Sequence, residues 1–247
     1  MNFTEEEAKH YLDQQGLMSH LRGSEGQLAP DWRDLARLHS LARKRKVFTA
    51  LEFGVGRSTV VLADALYQNK REWEGVQDKP EIKKQDPFTL FSVDASEVWL
   101  KNAQMSLPQA IQGHVEFHHS RVTVGEFNGR VCHFFESIPD AVPDFIYLDG
   151  PDPLDVEGEA HGLSWKNPER TVMAGDILRI EPTLLPGTFV LIDGRTNNAR
   201  FLACNLQRQW DIHHYEKEDV TTMELQEPAL GERNRAQILY CLSKEKF

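Results

Sequence analysis

The segment Leu51-Glu-Phe-Gly-Val-Gly-Arg-Ser58 sets a carboxylate and two glycines directly behind an apolar run. Gly54 and Gly56 leave a turn free of side chains, so a ligand can lie against backbone N–H groups at the start of the next helix, and Ser58 is placed to cap that helix. A dinucleotide turn would read G-x-G-x-x-G. Here the third glycine position is Thr59, and Glu52 would repel a pyrophosphate but welcome a cationic amino-acid group. Asp94, in FSVDAS, ends a second apolar run, where a carboxylate can accept hydrogen bonds from both hydroxyls of a ribose. Taken singly, Glu52 and Asp94 are also plausible helix caps or solvated strand ends; at successive strand ends they suggest one shared ligand.

Two more acids follow the same pattern: Asp149 in Tyr147-Leu-Asp-Gly-Pro-Asp152 and Asp193 in Leu191-Ile-Asp-Gly-Arg-Thr-Asn-Asn198. Such a pair could hold a divalent cation that orients a hydroxyl and lowers its pKa. His161, in Glu159-Ala-His-Gly162, is a candidate general base because imidazole titrates near neutral pH; a solvated loop histidine is the competing reading.

These residues can cooperate only if the chain brings them to one edge. VFTALEF (47–53), TLFSVDA (89–95), HVEFHH (114–119), DFIYLD (144–149) and TFVLID (188–193) read as buried strands, with helices expected over 58–69, 96–106, near 168–180 and over 196–208. Alternating strands and helices predict a parallel sheet covered on both faces, with ligands at the carboxyl ends of its strands. A strand near 210–215 and a second one over RAQILYCL (235–242) are expected to close the sheet. Residues 71–88 are polar and read as an insertion. Ahead of the first strand, the Thr4/Glu7 capping box predicts a helix over 4–15 that Gly16 stops. Beyond a flexible-looking stretch at 22–26, Pro30 and Asp31 open a second helix carrying Leu35, Leu38 and Leu41 on one face. The expected division is a helical extension over 1–46 and an α/β domain over 47–247.

Glu-x-Gly-x-Gly after an apolar strand resembles motif I of the class I S-adenosylmethionine-dependent methyltransferases, and the LDG segment at 148–150 is similar to their motif IV. The resemblance implies a Rossmann-like, mostly parallel seven-stranded sheet with helices on both faces, here with an N-terminal helical extension. It implies that Glu52, Gly54 and Gly56 line the methionine end of the cofactor, that Asp94 meets its ribose, and that Ser120 and Arg121 meet its adenine; Ser58 and Ala95, next to these positions, are counted among the cofactor-binding residues. Asp149 would face the transferred methyl group and the acceptor. Metal-dependent members of the family place an Asn or a second acid after the later Asp; here Gly194 follows Asp193, so Asn197 or Asn198 would have to complete a metal site.

The expected activity is methylation of oxygen on a small, polar, hydroxylated acceptor such as a sugar or metabolite. The alternatives are an NAD(P)-dependent enzyme on the same kind of sheet and a catalytically silent cofactor-binding module. Asp149-Gly-Pro-Asp152 lacks the Asn/Asp-Pro-Pro-Tyr/Phe type of sequence that accompanies nitrogen acceptors. With 38 acidic against 28 basic residues the net charge is −10, which disfavours nucleic acid and anionic membranes as partners. The basic run 41–46 reads as a solvated helix end. Cys132, Cys204 and Cys241 form no CxxC pattern, and no stretch approaches the ~20 apolar residues of a membrane span. A soluble, cytoplasmic, unprocessed protein is expected, with a small-molecule substrate and possible homo-oligomers.

Overall fold

The computed structural model describes residues 3–22 and 29–242; most of the 22–26 stretch therefore lies outside the described residues. In chain order the elements are α1 (Glu5–Gln14), α2 (Trp32–Lys44), β1 (Thr49–Phe53), α3 (Arg57–Glu74), β2 (Thr89–Asp94), α4 (Glu97–Ser106), β3 (Val115–His119), β4 (Val122–Phe127), β5 (Arg130–Phe135), β6 (Phe145–Leu148), β7 (Val156–Glu157), α5 (Asp176–Ile180), β8 (Phe189–Asp193), α6 (Thr196–Asn205), β9 (Trp210–Tyr215), β10 (Val220–Leu225) and α7 (Gly231–Cys241).

The main sheet has the order β3-β2-β1-β6-β8-β10-β9. Its ladders are parallel except where β10 runs antiparallel to β8 and β9. Successive residues of a strand face opposite sides, and the packing follows that alternation. Ala50, Phe145, Tyr147, Phe189 and Leu191 pack with apolar residues of α1, α2 and α3, whereas Leu51, Phe53, Ile146, Leu148, Val190 and Ile192 pack with those of α5 and α6. Both faces are thus covered, as the uninterrupted apolar strands require.

The capping box on α1 forms as expected: the Glu7 carboxylate accepts from the Thr4 N–H at 2.8 Å while the Thr4 hydroxyl accepts from the Glu7 N–H at 3.3 Å. Asp31 caps α2 by accepting from the N–H groups of Arg33 and Asp34. Both helices share the core of α3. A polar chain joins all three: His39 lies 2.7 Å from the Tyr11 hydroxyl and 2.9 Å from an Asp64 carboxylate oxygen.

Four expectations change. RAQILYCL is not a strand but most of α7, since its contacts recur at helical spacing: Asn234 and Gln237 are buried and Tyr240 packs on Phe48 and Trp73. The closing strand is instead Val220–Leu225, whose Val-Thr-Thr run suits a pleated surface. The helix expected near 168–180 shrinks to Asp176–Ile180, because residues before Gly175 hang on β5 through backbone bonds between His133 and Met173 and between Gly175 and His133. α3 runs on to Glu74, so the polar insertion starts at Gly75, and its Lys84 ties to Asp144. Finally, β4 and β5 form a hairpin around Asn128-Gly129, both at positive φ, and pair with β7 in a small second sheet. An Asn-Gly pair between such runs is a strong hairpin signal, and it was open to sequence reading. Among the described residues no helix is long and apolar enough to cross a membrane.

Asp176, 2% exposed, accepts from the Phe135 N–H at 3.1 Å through one oxygen, and its other oxygen has no partner. Burial pushes its carboxyl up to about 7 against the pull of Arg179. A carboxyl raised above its unfolded value contributes stability below that unfolded value and loses it as pH climbs to about 7. Urea unfolding should therefore show Asp176→Asn narrowing the stability difference between pH 5.5 and pH 8; an unchanged difference would remove this assignment.

Candidate functional site

Strand order reverses between β1 and β6, and beyond their carboxyl ends opens a cleft of about 540 Å³, within the usual range for small-molecule sites. The turns leaving the two strands cross glycine on glycine. A Cβ on Gly54 would lie 2.5 Å from the N and Cα of Gly150, and one on Gly150 would lie 2.2 Å from the Cα of Gly54. Gly54 also holds φ +93°, which disfavours any side chain. Gly56 differs: a Cβ there would meet nothing within 4 Å and would project into open space.

Glu52 is fully buried beneath this turn. One carboxylate oxygen accepts from the hydroxyls of Thr59 and Ser92, each at 2.7 Å, while the other has no partner within the protein. Burial raises its pKa to about 7, against the pull of the surrounding hydroxyls. Ser58 lines the cleft from the first turn of α3 but does not cap that helix. Thr59 acts there instead, its hydroxyl accepting from the Gly56 N–H at 3.1 Å.

At the end of β2, each oxygen of Asp94 accepts one backbone N–H, from Val55 and from Ser96, both at 2.8 Å. The carboxylate is fixed in orientation and still lines the cleft with lone pairs to spare. Burial raises its pKa, and the backbone N–H groups of Val55, Ser96 and Ala95 oppose that. The Ala95 carbonyl beside it lies 2.9 Å from His119 Nε2, and Ala95 does not line the cleft.

The opposite wall carries Tyr147, Asp149, Asp193 and Arg195, with Asp34 and Leu35 of α2 closing over them. The buried Tyr147 hydroxyl donates to Asp193 at 3.1 Å. Burial together with the negative charges of Asp34 and Asp149 lifts Asp193 to about 7, against the pull of Arg37. Asp149, its side chain 53% exposed, lies 3.5 Å from the Arg195 guanidinium. Arg195 also donates to the carbonyls of Asp149 and Pro151, so it clamps the β6 turn from the β8 side.

Glu52, Gly54, Gly56, Ser58, Asp94, Asp149 and Asp193 are therefore brought to one place. His161, Ser120 and Arg121 are not. His161 is on the surface against Glu126. Ser120 is buried and accepts from the Ser137 N–H at 2.9 Å, and Arg121 is exposed beside Glu157. A divalent metal does not fit the Asp149–Asp193 pair. Tyr147 and Arg195 already engage the two acids. Asn197 donates to Thr171, and Asn198 is bonded to both backbone groups of Ala174. Among the described residues no group of three or more His, Cys, Asp or Glu could hold a metal ion.

Sequence reading did not single out Asp34, Trp99, Asn102 or the clamp role of Arg195. For α4 the signal was present, because Trp99, Asn102, Ala103 and Ser106 follow helical spacing and all line the cleft. For Asp34 it was absent, since nothing local tells which end of the sheet α2 covers.

No family model matches the chain, and no curated protein matches it. Among solved structures the chain is similar to the O-methyltransferase TomG of Streptomyces achromogenes in complex with SAM, at 18% identity and TM-score 0.46, covering 91% of this chain and 92% of that one. It is also similar to a SAH-bound methyltransferase of Podospora anserina, at 14% identity and TM-score 0.49, covering 92% and 98%. An O-methyltransferase of Bacillus cereus in complex with SAH matches at 13% identity and TM-score 0.40, covering 91% and 92%. Likeness this distant assigns no family.

Proposed function

We propose that the chain binds S-adenosylmethionine in this cleft and is a methyltransferase whose acceptor is an oxygen of a small, polar, hydroxylated molecule. The observation that carries this reading is the oriented Asp94 carboxylate beside a turn free of side chains: one grips the two hydroxyls of a ribose, the other admits a flat, extended ligand against the start of α3. The unpartnered Glu52 oxygen lies buried below the same turn, on the side where the amino group of a methionine moiety would sit.

A dinucleotide enzyme fits less well. Its usual strand order, 3-2-1-4-5-6, has no antiparallel strand inserted before the last one as β10 is here.

When bound, the cofactor supplies an electrophilic methyl group. The chain supplies alignment and a place for the acceptor's proton. Asp149 is neutralised by Arg195 and is suited to orienting a hydroxyl. Asp193, lifted to about 7, is suited to taking the proton, so turnover is expected to rise as pH passes through that value. Three free cysteines and the acidic charge agree with a small-molecule substrate and a reducing, cytoplasmic setting.

Calorimetric titration with S-adenosylmethionine, S-adenosylhomocysteine and NADH tests the reading. Binding of both sulfur ligands and none of NADH is expected. Absence of sulfur-ligand binding, or a preference for NADH, would overturn it.

A further inference from the structure

The cleft is unevenly charged. Besides Asp94, Asp149 and Asp193, its walls carry Asp31 and Asp34 at the entry to α2 and Asp152 and Asp155 in the turn after β6, whereas Arg57 and Arg195 are the only cationic side chains lining it among the described residues. Both guanidiniums are turned to carbonyls of the chain itself, Arg57 to Leu21 at 2.8 Å and Arg195 to Asp149 and Pro151. Arg37 matches Asp34 at 2.8 Å. Asp94 and Asp152, however, accept from backbone N–H groups and Asp193 from the Tyr147 hydroxyl, neutral donors that leave the negative charge unbalanced. Burial and then the charges of Asp152 and Asp94 raise Asp155. The same imbalance continues under the floor of the cleft, where fully buried Glu52 keeps one oxygen without a partner. Burial and then the charges of Asp149, Asp193 and Glu52 push the Tyr147 hydroxyl up. A concave wall of one sign focuses its field on whatever enters, so a phosphate or carboxylate is repelled here and a cation is drawn in.

We propose that the methyl acceptor is a cation: a small hydroxylated molecule that also carries a protonated amine, such as an amino sugar or an amino alcohol, with its ammonium group drawn by the aspartates of the α2 entry and of the turn after β6. The assignment rests on the S-adenosylmethionine reading and narrows its acceptor. Carboxylates nearby hold an amine in its protonated form, which has no lone pair to attack with. The hydroxyl oxygen therefore takes the methyl group: the O–C bond forms as the S–C bond breaks, the S–C electron pair stays on sulfur, and the hydroxyl proton passes to Asp193. The ammonium group also favours the ionised form of Asp193, which keeps it ready to take that proton.

The test uses ligand-observed NMR and calorimetry on protein saturated with S-adenosylhomocysteine, with compounds matched in all but charge: glucosamine, glucose and glucuronate in one set, and tyramine, tyrosol and 4-hydroxyphenylacetate in another. In at least one set the amine should bind roughly tenfold or more tighter than its neutral counterpart, the carboxylate not at all. That advantage should shrink between about 0.02 and 0.3 M salt and fall several-fold in Asp34→Asn and in Asp155→Asn. The wild-type comparison of charges stays readable if a variant melts early. Equal binding of amine and neutral compound, binding of a carboxylate, an amine preference indifferent to salt, or no binding of either amine would overturn the cationic acceptor and leave the cofactor reading standing. Failure of S-adenosylhomocysteine to bind would overturn the cofactor reading, and the acceptor assignment with it.

Discussion

Asp94→Ala is expected to raise the dissociation constant for S-adenosylhomocysteine about 100-fold while leaving the chain folded. A hydrogen bond to a charged acceptor contributes about 1.5–3 kcal/mol, so losing two ribose contacts removes about 3 kcal/mol or more, which is that factor in affinity. The variant also frees the N–H groups of Val55 and Ser96, so the glycine turn loses the anchor that orients it toward ligand. Asp94→Asn keeps an acceptor but loses the charge, and should fall between the two in the same calorimetric titration. Equal affinity in wild type and Asp94→Ala would place the ribose elsewhere.

The second large effect separates Gly150 from Gly56. Gly150→Ala sets a methyl group 2.2 Å from the Gly54 backbone, where no side chain can move aside. Overpacking of this kind typically costs about 1–3 kcal/mol, and the switch-point crossing should open, so both urea stability and ligand binding are expected to fall. Gly56→Ala meets no protein atom and sits in extended backbone, so its stability should match the wild type. Its new methyl group enters the space assigned to the cofactor, so binding alone should fail. Unimpaired binding by Gly56→Ala would contradict the proposed pose.

The strands that carry the chemistry were legible because each is buried on both faces and so reads as an unbroken apolar run ending in an acid or a glycine. That pattern gave β1, β2, β6 and β8, and with them the convergence of Glu52, Asp94, Asp149 and Asp193. The end of the chain was harder. RAQILYCL mixes apolar and polar residues in a way that suits a strand locally, and only its packing of Tyr240 against Phe48 and Trp73 selects a helix. The adenine assignment to Ser120 and Arg121 followed family position, whereas the β4–β5 hairpin that begins directly afterwards draws those residues into other contacts. Asp34 shows a further limit: its place over Asp193 depends on how α2 docks on α3, a tertiary relation that no local pattern encodes.

Hydrogen exchange of the amides with and without S-adenosylhomocysteine tests the central claim most directly, because it reports where the ligand sits as well as whether it binds. Slower exchange is expected at residues 54–58, 94–103 and 149–152, the segments that meet at the switch point. Saturating ligand with those segments unprotected, or with protection confined to another part of the chain, would contradict the account.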